Sequence, residues 1–248
     1  MADKPRTPDP PRKVQAPKVR QKHAPAGGGM SMPGTNTYIG IGLLVIAGLV
    51  AVLLVVLSRG GSAANITRAE VRNVQTAMES AGCSFTEVPA AASQQHMSAA
   101  DEKVRYSTFP PATGVHNPTP ALWGNYRLPS DPRQVVHNLE HGGIAIWYGP
   151  RISAADRGAL DSFYDDSPNA MVITPLADSY PNVTYPKHEP LGSKIGLSVW
   201  TSNTKTAKGT AYVAVCPSFN AKAFAAFRDT FRGKGPERFP VSRLTPGS

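Results

Sequence analysis

Residues 134–148 read QVVHNLEHGGIAIWY. Gln134–His141 predict a short helix, which the pair Gly142-Gly143 stops. Ile144–Tyr148 then run as an uninterrupted apolar strand. A helix that turns through two glycines into a buried strand belongs to a sheet with helices packed on it. The same stretch carries the densest set of chemically competent side chains in the chain, so fold and function meet here.

Outward from it, the pattern repeats. Downstream, Ser153–Tyr164 predict a helix with Ser153 as N-cap and Asp156 three residues on. Met171–Thr174 form a strand ended by Pro175, and Ile195–Thr201 and Tyr212–Val215 two more. Asn220–Gly233 form an amphipathic helix, with Ala223, Phe224, Phe227 and Phe231 on one face. Upstream, Val104–Tyr106 suit a short strand. Pro110, Pro111, Pro118, Pro120, Pro129 and Pro132 make 107–133 an irregular loop, which Phe109, Trp123 and Tyr126 mark as ordered. Residues 65–81 predict a helix opened by a Thr67/Glu70 capping box. The expected fold is α/β or α+β: a single small mixed sheet with packed helices, preceded by one transmembrane helix.

That transmembrane helix is expected at 37–58. Tyr38–Ser58 read YIGIGLLVIAGLVAVLLVVLS, and no charge occurs between Lys22 and Arg59. About 20 apolar residues cross the ~30 Å hydrocarbon core. Residues 1–36 precede it as a disordered basic tail, rich in proline and carrying Lys4, Arg6, Arg12, Lys13, Lys18, Arg20 and Lys22 against Asp3 and Asp9. Cations on that flank place the N-terminus in the cytoplasm and the rest outside. A cleaved signal peptide is the rival, since Ser62-Ala63-Ala64 resembles a cleavage site, but the apolar run exceeds a signal core. Residues 59–81 are then a juxtamembrane helix or linker, 82–238 an extracytoplasmic domain and 239–248 a C-terminal tail. The chain's net charge is +9. Most of that excess lies in the tail, which suits a lipid flank better than a nucleic-acid arm, so the expected partner is the bilayer and not nucleic acid.

Within the domain, His137 and His141 stand four apart, which on a helix puts both rings on one face, able to share an ion. Glu140, one turn from His137, is placed to orient a ring from outside the ligand set. His116 in the proline-rich loop is the third candidate, and Met171 or Met97 a soft fourth. His96, His116, His137 and His141 all fall within 96–141. Imidazole suits copper or zinc and thioether favours Cu(I), so copper is expected, with zinc as the alternative. The competing reading is a hydrogen-bonded polar network without metal, in an accessory or interaction subunit of a membrane complex. His137-x-x-Glu140-His141 also matches the inverted zincin peptidase pattern. There, however, the motif lies on a long helix and takes a third ligand from another. Here glycines end the helix, and Glu189 and Glu237 sit in proline-rich loops. The chain lacks a G-x-S-x-G elbow, a phosphate loop and a dinucleotide fingerprint, so the enzyme question stays open and leans to no. Cys83 and Cys216 are too far apart for a redox motif. In an oxidising compartment they are candidates for a disulfide, with two buried thiols as the other reading.

Taken together, Tyr106, Pro110-Pro111-x-x-Gly114-x-His116, Trp123-Gly124-x-Tyr126, Val136-His137-x-Leu139-Glu140-His141-Gly142-Gly143 and Tyr148 resemble the domain-of-unknown-function family DUF3105. The likeness continues through Thr174-Pro175, Val199-Trp200 and Phe227…Pro236-Glu237, and covers roughly 82–238. It implies a bacterial, exported domain behind one membrane helix. It implies no activity, and its histidine motifs coincide with His116, His137 and His141. This chain departs from the pattern at Ala112-Thr113 and Val115, which spares His116. The expected function is a membrane-anchored, extracytoplasmic copper-binding protein that sequesters the ion or passes it to an exported cuproenzyme. Protease added to intact cells should digest the chain beyond residue 82 and spare the tail; the opposite pattern would invert this topology.

Overall fold

A computed structural model describes residues 65–90, 95–206 and 208–248. The tail and the apolar span expected at 37–58 lie outside the described residues. Among the described residues no helix is long and apolar enough to cross a membrane.

The chain folds as a mixed α/β domain. Its strands are β1 (Ser84–Pro89), β2 (Val104–Arg105), β3 (Gly124–Asn125), β4 (Ile144–Tyr148), β5 (Met171–Pro175), β6 (Val183–Thr184), β7 (Ile195–Ser202) and β8 (Gly209–Cys216). Its helices are α1 (Arg68–Ser80), α2 (Pro132–Glu140), α3 (Ala154–Asp166) and α4 (Ala221–Phe231). Six strands form one sheet in the order β1-β8-β7-β4-β5-β3, and β2 pairs with β6 apart from it. The β4–β5 and β5–β3 pairs are parallel, and the others in the large sheet are antiparallel. The α3 crossover between β4 and β5 is what a parallel pair needs, since no tight turn can join parallel neighbours.

Local chemistry sets the helix starts. Thr67 and Glu70 make both bonds of the capping box. Asp131, Ser153 and Asn220 each cap a helix by accepting a backbone N–H, and Pro132 follows its cap where no N–H is required. Strand β1 escaped the sequence reading: it is an edge strand with no buried residue, ends in a proline, and shows no alternation to recognise.

Two apolar layers cover the sheet. On one face α1, α3 and α4 pack Met78, Leu160, Phe224, Phe227 and Phe231 against Ile144, Ile146 and Leu197. On the other, α2 packs Val135, Val136 and Leu139 with Trp147, Trp200 and Trp123. Alternation along β4 and β5 divides the two: Ile144, Ile146, Met171 and Ile173 face the three helices, while Ala145, Trp147 and Val172 face α2.

Long-range ties hold the second layer. Asn138 clasps Ala121 through both amide groups, at 3.0 Å from its N–H and 2.8 Å to its carbonyl. Residues 239–248 lie mostly on the surface, but they are fastened rather than loose. Ala170 N–H donates to the Leu244 carbonyl (2.7 Å) and Gly247 N–H to that of Trp123 (2.9 Å). Cys83 and Cys216 are joined as a disulfide across 133 residues of sequence. Closing a loop that long withdraws much freedom from the unfolded chain, which the chain-entropy model values at about 3–5 kcal/mol. Replacing both cysteines by alanine should therefore lower the thermal midpoint by on the order of 10 °C; an unshifted midpoint would show that the bridge carries no such constraint.

Candidate metal centre

The site forms where α2 ends. Helix α2 delivers His137 and Glu140 from its last turn, and His141 follows as its C-cap. The loop before it delivers His116. A parallel bridge between His96 and His116 sets those two side by side, with Met97 N–H donating to the His116 carbonyl (2.7 Å) and His116 N–H to that of Gln95 (3.1 Å). Glu237 arrives from the far end of the chain. Its backbone N–H donates to the Glu140 carbonyl (3.1 Å), and Gly233 N–H to that of Gly142 (2.7 Å).

Glycine makes that crossing possible. Gly142 has φ +92°, a left-handed conformation that closes the helix. A Cβ on Gly235 would fall 2.3 Å from the Gly142 nitrogen and 2.5 Å from the Glu140 oxygen. Only bare backbone fits between the two segments.

The donors converge on Glu140, whose side chain is fully buried. Its Oε2 lies 3.0 Å from His116 Nε2, 3.8 Å from His96 Nε2 and 4.0 Å from His137 Nε2. His137 Nε2 is 2.9 Å from His141 Nε2, which is itself 2.9 Å from Glu237 Oε2. Two sets of donor atoms result, each within 4.8 Å of one another: His96, His116, His137 and Glu140, and Glu140, His141 and Glu237.

Tautomers follow from the hydrogen bonds. His137 Nδ1 faces the Asn117 carbonyl at 2.7 Å, and His116 Nδ1 faces that of Gly114 at 2.8 Å. A carbonyl only accepts, so both Nδ1 atoms carry the hydrogen. In the neutral form a ring so held turns a lone pair at Nε2 toward the centre of the cluster, the arrangement that metal-bound histidines adopt. At His116, Nε2 lies 3.0 Å from a Glu140 carboxylate oxygen, a contact joined either by a proton on the ring or by a cation bound between the two. Glu140 Oε1 is buried with no hydrogen-bond partner among the described residues. A divalent ion satisfies these groups together, so the residues present fit a metal.

The electrostatics agree. Burial pushes the Glu140 carboxyl up, but the His116 hydrogen bond and the rings of His116, His137 and His96 outweigh it and hold the group below its ordinary value. Burial, ahead of every other cause, depresses His137. Burial and then the His137 ring bring His141 down from 6.5 to about 4. Both rings are therefore neutral near pH 7, the protonation state in which imidazole binds a metal ion.

Of the residues expected from sequence, His116 and His137 do come together. Glu140, expected to act from outside, is instead the one donor common to both sets. His141 joins Glu140 and Glu237 rather than His96 and His116. Met171 is a correction: it lies in the apolar layer against α3 and α4, on the sheet face away from α2, and so is no ligand. Met97 packs in the α2-side apolar layer. His96 and Glu237 were missed. The first was legible only as one of four closely spaced histidines, and the second had no local signal. The peptidase pattern needs a glutamate facing a substrate water, whereas Glu140 has no exposed surface.

A mixed α/β domain carrying a histidine–glutamate cluster around a buried carboxylate, able to hold a metal ion, is the class that fold and site define. The chain belongs to the family described as Protein of unknown function (DUF3105), whose family model matches residues 96–237. The matched segment opens at His96 and closes at Glu237, so every donor of the cluster lies within it. No curated protein and no solved structure matches the chain.

The depressed His141 has a consequence for the metal-free protein. Its folded value of about 4 lies below its ordinary 6.5, so between those limits the unfolded chain binds more protons. Stability should then be full above that window and be lost as pH falls through it. Thermal melts in chelator should show a lower midpoint near pH 5 than near pH 7, and His141→Ala should flatten the difference. An equal slope in both proteins would assign the effect to other groups.

Proposed function

We propose that this chain is a membrane-anchored protein whose extracytoplasmic domain, residues 82–238, holds a copper(II) ion between His96, His116, His137 and Glu140, with zinc as the competing ion. One observation carries the reading: imidazole Nε2 atoms, fixed in direction by carbonyl partners behind the rings, meet at a buried carboxylate. Because the donor set is imidazole and carboxylate, a borderline divalent ion suits it better than Cu(I). Copper(II) heads the order of affinity at such nitrogen and oxygen sites.

Placement outside the cytoplasm is supported by the Cys83–Cys216 disulfide, which suits an oxidising compartment, and by the uncharged apolar run from Tyr38 to Ser58. A domain tethered at the membrane with such a site fits sequestration of the ion or its delivery to an exported cuproenzyme or membrane complex.

Titration of the full-length protein in detergent, with copper(II) and then zinc against a competing chelator, tests this. Stoichiometric binding is expected, weakening as acid protonates the imidazoles. His116→Ala and His137→Ala should each cost more than the ~10–100-fold typical of losing an outer partner. No stoichiometric binding, or unaltered affinity in His137→Ala, would overturn the reading.

A further inference from the structure

We infer that the cluster is built for two ions, with Glu140 as the shared carboxylate and His141 and Glu237 completing the second position. This rests on the metal reading of the first set and extends it.

Four protein donors saturate a tetrahedral ion held by His96, His116, His137 and Glu140. That leaves His141 and Glu237 unused, yet they sit in donor contact at 2.9 Å and within 4.8 Å of a Glu140 oxygen. A carboxylate has two oxygens. Oε2 faces the three histidines, and Oε1 is without a hydrogen-bond partner among the described residues although it is buried. One carboxylate shared by two donor sets is the geometry of ions held ~3.5–4 Å apart.

The two positions differ in donor count more than in access. In the first, the side chains of His116 and Glu140 have no exposed surface and that of His137 has 6%, while His96 closes the set from the surface at 45%; in the second, His141 has 18% and Glu237 34%. With three protein donors, the second ion keeps a coordination position open toward solvent, where water or a small anion binds. Held by four protein donors the first ion is the tighter, and held by three the second is the more labile. Glu237 reaches its place only because the segment from Gly233 is strapped across the glycines after α2. The chain's C-terminal part thus completes the second position, which α2 begins with Glu140 and His141.

Zinc is the probe. The full-length protein in detergent is titrated by calorimetry, and bound zinc is counted after dialysis. The wild type should show two steps, the weaker removed first by chelator. Glu237→Gln and His141→Ala should each lose the weaker step and keep the tighter one, with cooperative thermal melting confirming that they fold. A wild type that binds a single ion overturns the shared-carboxylate arrangement while leaving the single-ion function standing, and that measurement needs no variant. Loss of both ions in a cooperatively melting Glu237→Gln also overturns it, because the positions would not be separable. Failure of the wild type to bind zinc or copper at all removes both this inference and the function on which it rests.

Discussion

A carboxylate with no contact with water has to be neutralised by something inside the protein. Glu140 is that group here, and its position makes the demand stronger. It is the last residue of α2, at the helix end where the aligned peptide dipoles already favour positive charge. Moving such an ion out of water costs several kcal/mol even after relaxation. The surroundings offer four imidazoles rather than an arginine or lysine, and two of these rings have their Nδ1 hydrogens committed to carbonyls. The arrangement is poor as a permanent salt bridge and good as a cradle for a cation.

The rest of the domain holds those groups in place. The apolar layer under α2 fixes the helix against the sheet, so that its last turn ends over Trp200 and the proline-rich loop. Asn138 binds the loop to the helix as a second strand would, leaving the loop little room to withdraw His116. The glycine crossing at Gly142 and Gly235 brings in the C-terminal segment. A Cβ on Gly143 would meet Trp123 at 2.4 Å, so the helix end and the loop also meet without intervening side chains. The disulfide closes the opposite layer, between the end of α1 and the last strand.

Much of the fold was legible. Caps and apolar periods placed all four helices and the strands β4, β5, β7 and β8 to within a few residues, because those signals act over one or two turns of chain. Strand β1 was not legible, since its solvent-exposed residues carry no burial pattern to read. Met171 shows a different limit. Strand β5 is buried on both faces and even its polar Thr174 is buried, so no alternation marks which way any side chain points, and the sequence could not tell the helix-packed face from the face of α2.

By itself the sequence determined that His137, Glu140 and His141 lie on one helical turn closed by glycine, that His116 sits in an ordered loop, and that a long uncharged apolar run precedes the domain. These follow from covalent spacing and composition. Only the tertiary structure decided that His96 pairs beside His116, that Glu140 rather than a methionine completes the donor set, and that Glu237 crosses the chain to meet His141. Ligand geometry depends on angstroms between segments a hundred residues apart, and those distances are set by packing and backbone crossings that no local spacing encodes.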